Sequence, residues 1–209
     1  MSSSSVLTDE SALSRADRTW LKLEAFLNLL GGIVIFALVV LAVANVLGRK
    51  FAGLPVPGYV DWTQQFMAVF AFLGLAYCQR EGGHIRMDIL MGQLRGRTLW
   101  LAEWLGILFM LILTTALIYG TWFHFARSFD WSAPLWSRDS SIDIALPLWP
   151  AKLLVPFALG VLWIRLALQL WGYTRALRTG EERPVAVPLI EDAATLANKE
   201  AKTVEGADG

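Results

Sequence analysis

The chain has 209 residues, of which 56% are hydrophobic and only 17% are charged. Soluble domains carry about 25% charged residues, and the apolar residues here are concentrated in long runs, which favours membrane spans over a large soluble core. The formal net charge is zero, so the charge balance gives no argument for a nucleic-acid partner. A single cysteine excludes an intramolecular disulfide, a CxxC redox pair and a cysteine-based zinc site.

The first half of the chain contains two apolar segments. Residues 1–20 are polar and serine-rich, and we interpret them as a cytoplasmic tail. The run 25–47 is too long for the core of a cleaved signal peptide and suits a spanning helix, which needs about 20 residues. The second segment, 60–79, is wholly apolar only over 66–78, and we expect its polar start at one membrane interface.

A compact group of charged residues, glycines and a histidine follows the second segment, over residues 81–90. Gly82 and Gly83 are expected to end the helix. The uneven alternation of apolar and charged residues over 86–96 predicts a short amphipathic helix in the interface; the alternative is a plain polar connector.

His84 is flanked by Glu81 and Asp88, but two carboxylates and one histidine in so short a loop are more often structural than metal ligands. The other histidine, His124, is expected at the opposite side of the membrane, so the two cannot share a haem. No catalytic motif is present. We therefore predict neither enzyme activity nor a cofactor or metal site.

The third and fourth predicted spans, 99–123 and 153–171, contain one charge each, Glu103 and Arg165. On consecutive antiparallel helices both charges lie about 6–9 Å from the same end. Charges inside a membrane are costly and usually paired, so we predict a structural Glu103–Arg165 ion pair. The alternative is that Arg165 extends alone to the interface.

The loop between these spans is rich in tryptophan, and tryptophans also occur near the opposite helix ends, as in the aromatic belts of membrane proteins. Residues 176–209 have few large apolar side chains, and we expect a disordered tail. The candidate outer surface consists of Trp131, Trp136, Arg138 and Asp139.

Lysine and arginine accumulate in cytoplasmic loops, and they are distributed unequally here. One side would hold ten of them and the other five, which places both termini and the central loop in the cytoplasm. The predicted fold is therefore an all-α integral membrane domain, residues 21–175, with four transmembrane helices. The ten are Arg15, Arg18, Lys22, Arg80, Arg86, Arg95, Arg97, Arg175, Arg178 and Arg183; the five are Arg49, Lys50, Arg127, Arg138 and Lys152.

Residues 72–88, FLGLAYCQREGGHIRMD, follow the pattern FLG-A---R--GHI-VD. The stretch strongly resembles the small membrane subunit (DctQ-like) of tripartite ATP-independent periplasmic (TRAP) transporters. The segment 142–150 and Pro156 look like the family's entry to its last helix. In one departure, the family often has two glutamates where this chain has Gln64 and Gln65. The motif residues are Gly82, Gly83, His84, Arg86 and Asp88.

The resemblance implies a bacterial inner-membrane protein bound to a large, many-helix permease subunit that holds the sodium and substrate sites. A periplasmic substrate-binding protein would deliver an organic acid or a similar anion. The small subunit would enlarge the scaffold and help form the docking surface. Two alternatives are a free-standing membrane adaptor without a transport role and a membrane redox enzyme.

Overall fold

The computed structural model describes residues 12–81, 97–179 and 187, and within these ranges the regular structure is helical. Two isolated antiparallel β-bridges lie in the loop before the last helix. The helices are α1 (Ala12–Leu47), which continues as a π-helical turn (Gly48–Ala52), α2 (Tyr59–Leu73), α3 (Leu75–Arg80), α4 (Arg97–Ser128) and α5 (Trp149–Thr179), with a 3-10 turn at Pro134–Trp136.

Within the described residues, three helical segments are long and apolar enough to cross a membrane: Ala12–Ala52, Thr98–Ser128 and Trp149–Thr179. The predicted second span, 60–79, is divided at Gly74 into α2 and α3. A Cβ at Gly74 would lie 3.4 Å from the Asn28 side-chain oxygen. This distance is an ordinary van der Waals contact, so Gly74 lies against α1 without being required for its approach. A fourth span made by α2 and α3 together stays a prediction.

The first helix begins at Ala12, which differs from the prediction that residues 1–20 form a polar tail. Leu13, Ser14 and Asp17 are buried there, and Asp17 pairs with Arg80 of α3 and Arg165 of α5. The last helix likewise extends to Thr179, beyond the predicted span. The predicted interfacial helix, 86–96, and the residues from Gly82 to Asp88 lie outside the described residues, as does most of the predicted C-terminal tail.

The last helix, α5, is the centre of the bundle and contacts α1, α2, α3 and α4. Its interhelical hydrogen bonds join Trp104 to Thr174 and Trp163 to Thr115, so α4 and α5 are antiparallel. The apolar core gathers residues of all the helices; among them are Leu27, Leu73, Ala76, Ile107, Leu159, Leu162, Leu166 and Tyr173.

The outward faces of α1 and α4 are apolar and exposed. Phe36 on α1 is 70% exposed and Phe109 on α4 is 69% exposed. Helices that are apolar on nearly every side belong in lipid or against another apolar surface, and such patches are larger than soluble monomers usually expose. Both helices therefore present surfaces suited to a membrane and to a membrane partner.

Candidate functional site

Four charged side chains meet inside one end of the bundle, and we name them the buried cluster: Asp17, Glu24, Arg80 and Arg165. Each is at most 1% exposed. Arg80 donates from Nη1 to Asp17 Oδ1 at 3.0 Å and to Glu24 Oε2 at 3.3 Å, and from Nη2 to Asp17 Oδ2. Arg165 Nη1 donates to Asp17 Oδ1, and its Nε lies 4.0 Å from Glu24 Oε1.

Three helices supply the buried cluster. Asp17 and Glu24 are two turns apart on α1 and therefore lie on one face of it, whereas Arg80 ends α3 and Arg165 is in the middle of α5. Two acids and two arginines make the cluster neutral. Burying ions costs several kcal/mol each, and only good geometry with additional hydrogen bonds offsets this cost. The cluster is consequently a structural junction of α1, α3 and α5.

A second layer of polar contacts surrounds the junction. Gln79 Nε2 donates to Gln169 Oε1 at 2.8 Å, and Gln169 Nε2 donates back to the Gln79 carbonyl at 3.3 Å. Tyr173 donates from its hydroxyl to Glu103 Oε2 at 3.3 Å. These bonds satisfy buried polar groups that would otherwise be costly and extend the junction to α4.

Glu103 and Arg165 are both buried, at 7% and 0% exposure. The ion partners described above for Arg165 are the acids of α1, and Glu103 has its bond from Tyr173. A direct Glu103–Arg165 pair stays a prediction. Sequence reasoning missed Asp17, Glu24 and Arg80 as a group. The available signal was the seven-residue spacing of the two acids, which places them on one helical face.

The opposite end of the bundle carries the tryptophan loop, residues 129–148. The bridges Phe129↔Ser137 and Ser140↔Pro147 organise it. Trp131 and Trp136 lie with ring centroids 5.8 Å apart and are 76% and 50% exposed. Trp149 donates from its indole nitrogen to the Leu135 carbonyl at 3.0 Å. The loop thus displays an aromatic surface on an ordered frame.

The backbone of the tryptophan loop is strained in its 3-10 turn. Leu135 and Trp136 have φ values of 53° and 56°, a region that residues with side chains rarely adopt. Each such residue costs about 1–3 kcal/mol and persists only when the surroundings enforce it. The hydrogen bond from Trp149 to Leu135 and the ring contacts of Trp136 with Trp131 and Trp149 stabilise this backbone conformation.

Two acidic residues brace the tryptophan loop. Asp139 accepts hydrogen bonds from Lys152 Nζ at 2.6 Å and from the Ser128 hydroxyl, which joins the loop to both α4 and α5. Asp130 accepts the Arg138 Nε–H at 2.9 Å. Of the predicted outer surface, Trp131, Trp136 and Arg138 are exposed, whereas the partly exposed carboxylate of Asp139 is bonded to Ser128 and Lys152.

These bonds lower the pKa of both carboxyls, and we predict a loop that tolerates mild acid. The hydroxyl and amide of Ser132, and then Arg138, lower the pKa of Asp130 to about 2. Hydrogen bonds from Lys152 and Ser128 lower the pKa of Asp139. Because the folded values lie below the ordinary value of 3.8, their stabilisation is complete above about pH 4 and is lost as the pH falls through the folded pKa.

The measurement is hydrogen exchange of the loop amides, corrected for the intrinsic effect of pH. Protection should be unchanged between pH 7 and pH 5 and should fall progressively below about pH 4. The Asp130→Asn variant, which has no carboxyl to titrate at this position, should lose part of that acid dependence. Loss of protection between pH 7 and pH 5 in the unaltered chain would contradict the prediction.

The outer end of α2 also holds the tryptophan loop. Asp61 Oδ2 accepts the Ser141 hydroxyl at 2.6 Å and the backbone N–H groups of Asp143 and Ile144 at 3.1 and 3.0 Å. Gln65, one of the two glutamines at the family's acidic positions, donates to the Pro147 carbonyl at 2.8 Å. The other, Gln64, is exposed.

Two residues of the quoted pattern contact other helices. Gly74 lies against the Asn28 side chain of α1, and Arg80 is one of the two arginines of the buried cluster. The glycine–histidine part of the pattern lies outside the described residues. Within residues 12–81, 97–179 and 187, no group of three or more histidine, cysteine or acidic side chains could hold a metal ion.

One of two comparisons relates the chain to known proteins. No curated protein matches its sequence significantly. A family model described as tripartite ATP-independent periplasmic transporters, DctQ component, matches residues 38–176. This match covers more than half of the chain and includes α2 to α4 and nearly all of α5. The chain therefore belongs to the DctQ family, the small component of TRAP transporters.

Proposed function

We propose that this chain is the non-catalytic small permease subunit of a TRAP-type secondary transporter. It scaffolds the large transport subunit and helps to dock the periplasmic substrate-binding protein, for ion-coupled uptake of an organic acid or a similar solute. The observation that carries the proposal is the family match over residues 38–176, together with the exposed apolar faces of α1 and α4.

The scaffold role follows from the bundle's construction. A moving transport subunit needs a rigid neighbour, and the buried cluster ties α1, α3 and α5 together through hydrogen-bonded ion pairs. The outward faces of α1 and α4 supply apolar area for a large membrane partner. Between transmembrane helices such association depends on close packing, to which a rigid bundle contributes.

We further propose four spans in the bacterial inner membrane, with α2 and α3 together forming the second and both termini in the cytoplasm. The excess of lysine and arginine at the end of the buried cluster supports this orientation. At 36 residues, α1 is about 54 Å long, which exceeds the hydrocarbon thickness of about 30 Å. Its first turns therefore have room to reach beyond the bilayer core, and the tryptophan loop faces the periplasm.

The docking surface is proposed to consist of Trp131, Trp136, Arg138 and Asp139. The two tryptophans are exposed apolar anchors of the kind that dominate protein interfaces, and Arg138 is exposed beside them. Asp139 contributes by bracing the loop through Lys152. A water-soluble binding protein can reach this end of the bundle only if the loop lies outside the cytoplasm.

Co-purification tests the scaffold role. The tagged chain is expressed with the large permease subunit of its transporter and extracted in a mild detergent. We expect a stable complex that survives size-exclusion chromatography, whereas an unrelated many-helix membrane protein under the same conditions should not bind. Elution of the chain alone in the presence of the large subunit would contradict the proposal and favour the free-standing adaptor.

A further inference from the structure

We propose that Asp61 is a positioning residue for docking of the periplasmic binding protein, because it fixes the outer turn, residues 140–147, against the start of α2. The inference rests on the proposed function, since it assumes that the tryptophan loop is the docking surface. It assigns a role to a side chain that makes no contact with the proposed docking residues.

The Asp61 carboxylate is buried and hydrogen-bonded to the outer turn. The side chain is 4% exposed, and its Oδ2 accepts three hydrogen bonds, one from a hydroxyl and two from consecutive backbone N–H groups. The three donors lie between 80 and 83 positions after Asp61 in the sequence. Hydrogen bonds to a charged acceptor are the stronger kind, so this carboxylate fixes where the turn begins and which way it faces.

Two further contacts from α2 and its cap support the same turn. Gln65 donates to the Pro147 carbonyl at 2.8 Å. Gly58 has a φ of 65°, and a Cβ there would lie 2.4 Å from Ile144 Cδ1. The turn is therefore held by the Asp61 carboxylate, the Gln65 amide and the contact between Gly58 and the Ile144 side chain. All three residues lie in the first two turns of α2 or just before it.

The outer turn is also well ordered internally. Ser141 donates its backbone N–H to the Leu146 carbonyl at 2.9 Å, and Leu146 donates back to the Ser141 hydroxyl at 2.8 Å. Ile142, at its tip, is 97% exposed. An ordered turn that displays an exposed isoleucine offers an apolar contact to a docking partner, and the bonds to Asp61 fix the position of this turn.

Asp61 is separable from the fold of the bundle. The loop has a second, independent attachment, because Asp139 binds Lys152 of α5 and Ser128 of α4. Loss of the Asp61 contacts should therefore leave the helices and the loop ends in place while the outer turn loses its fixed orientation. The expected consequence is weaker docking with normal assembly.

The test is the dissociation constant between the assembled two-subunit membrane complex in nanodiscs and the fluorescently labelled binding protein of the same transporter. Asp61→Ala should raise this constant about tenfold while leaving the yield of the complex on size exclusion unchanged. Asp61→Asn keeps a side-chain oxygen acceptor and should remain within about threefold of the unaltered complex. Ser141→Ala removes one donor to Asp61 together with the acceptor of the Leu146 N–H, and it should also raise the constant.

Three outcomes would overturn the inference. They are an unchanged dissociation constant for Asp61→Ala, equal defects in Asp61→Ala and Asp61→Asn, and loss of assembly in Asp61→Ala, which would show a purely structural role. Trp131→Ala in the same assay separates this inference from the proposed function. If Trp131→Ala weakens binding and Asp61→Ala does not, only the positioning role fails; if neither weakens binding, the docking surface itself is wrong.

Discussion

Replacing Arg80 by leucine should lower the free energy of unfolding by about 3–5 kcal/mol, the usual cost of removing one partner from a buried ion pair. Arg80 contacts both acids of the buried cluster, at 3.0 Å to Asp17 and 3.3 Å to Glu24. Without it the two carboxylates of the cluster share Arg165 alone, so the formal charge of the cluster becomes negative. Unfolding in mixed micelles with increasing denaturing detergent measures the change.

Arg18→Leu is the matched control, because Arg18 also lies near the same end of the bundle but is exposed on α1. It removes the same charge and should change stability by less than about 0.5 kcal/mol. The double variant Arg80→Leu with Glu24→Gln restores neutrality and should recover at least about 1 kcal/mol, a coupling typical of residues in contact. Equal stability of the Arg80 and Arg18 variants would show that the cluster is not a structural junction.

Removing either exposed tryptophan of the outer loop should weaken docking of the binding protein about 30-fold. Trp131 and Trp136 are 76% and 50% exposed, and large aromatic anchors at interfaces typically contribute 2 kcal/mol or more when truncated to alanine; about 1.4 kcal/mol corresponds to a tenfold change in affinity. The measurement is the dissociation constant for the binding protein and the assembled complex in nanodiscs.

Trp171→Ala provides the control for this experiment. Trp171 is 51% exposed but lies near the other end of α5, so its removal deletes the same side chain at the opposite side of the bundle. Docking should then stay within about twofold of the unaltered complex. Equal effects of Trp171→Ala and Trp131→Ala would argue for a general loss of folding and against a docking surface on the loop.

Much of the helical framework was predictable because long apolar runs determine helices almost regardless of context. The start of α1 was not, since the polar composition of residues 12–20 is ambiguous until Asp17 is known to meet Arg80. The interruption at Gly74 was equally hidden. A glycine inside an apolar run has no side chain to reveal that Asn28 of another helix lies against it.

The candidate sites could likewise be predicted only in part. Glu103 and Arg165 were conspicuous because each is a charge in an apolar run; both are buried, and their direct pairing stays a prediction. The partners of Arg165 could not be predicted, because Asp17 lies 148 positions away in a stretch with many polar residues. The contacts of Asp61 could not be predicted either, because they are made with a turn 80 residues later that no local pattern connects to it.

The composition of the buried cluster has a consequence for biosynthesis. Asp17 and Glu24 emerge from the ribosome with the first helix, Arg80 follows 63 residues after Asp17, and Arg165 follows after 148. At about 5–20 residues per second, roughly 7 to 30 seconds pass between the synthesis of Asp17 and that of Arg165. Before Arg165 is synthesised, Asp17 and Glu24 have only Arg80 as a partner from the buried cluster, so the contacts of this cluster can be completed only after most of α5 has been made.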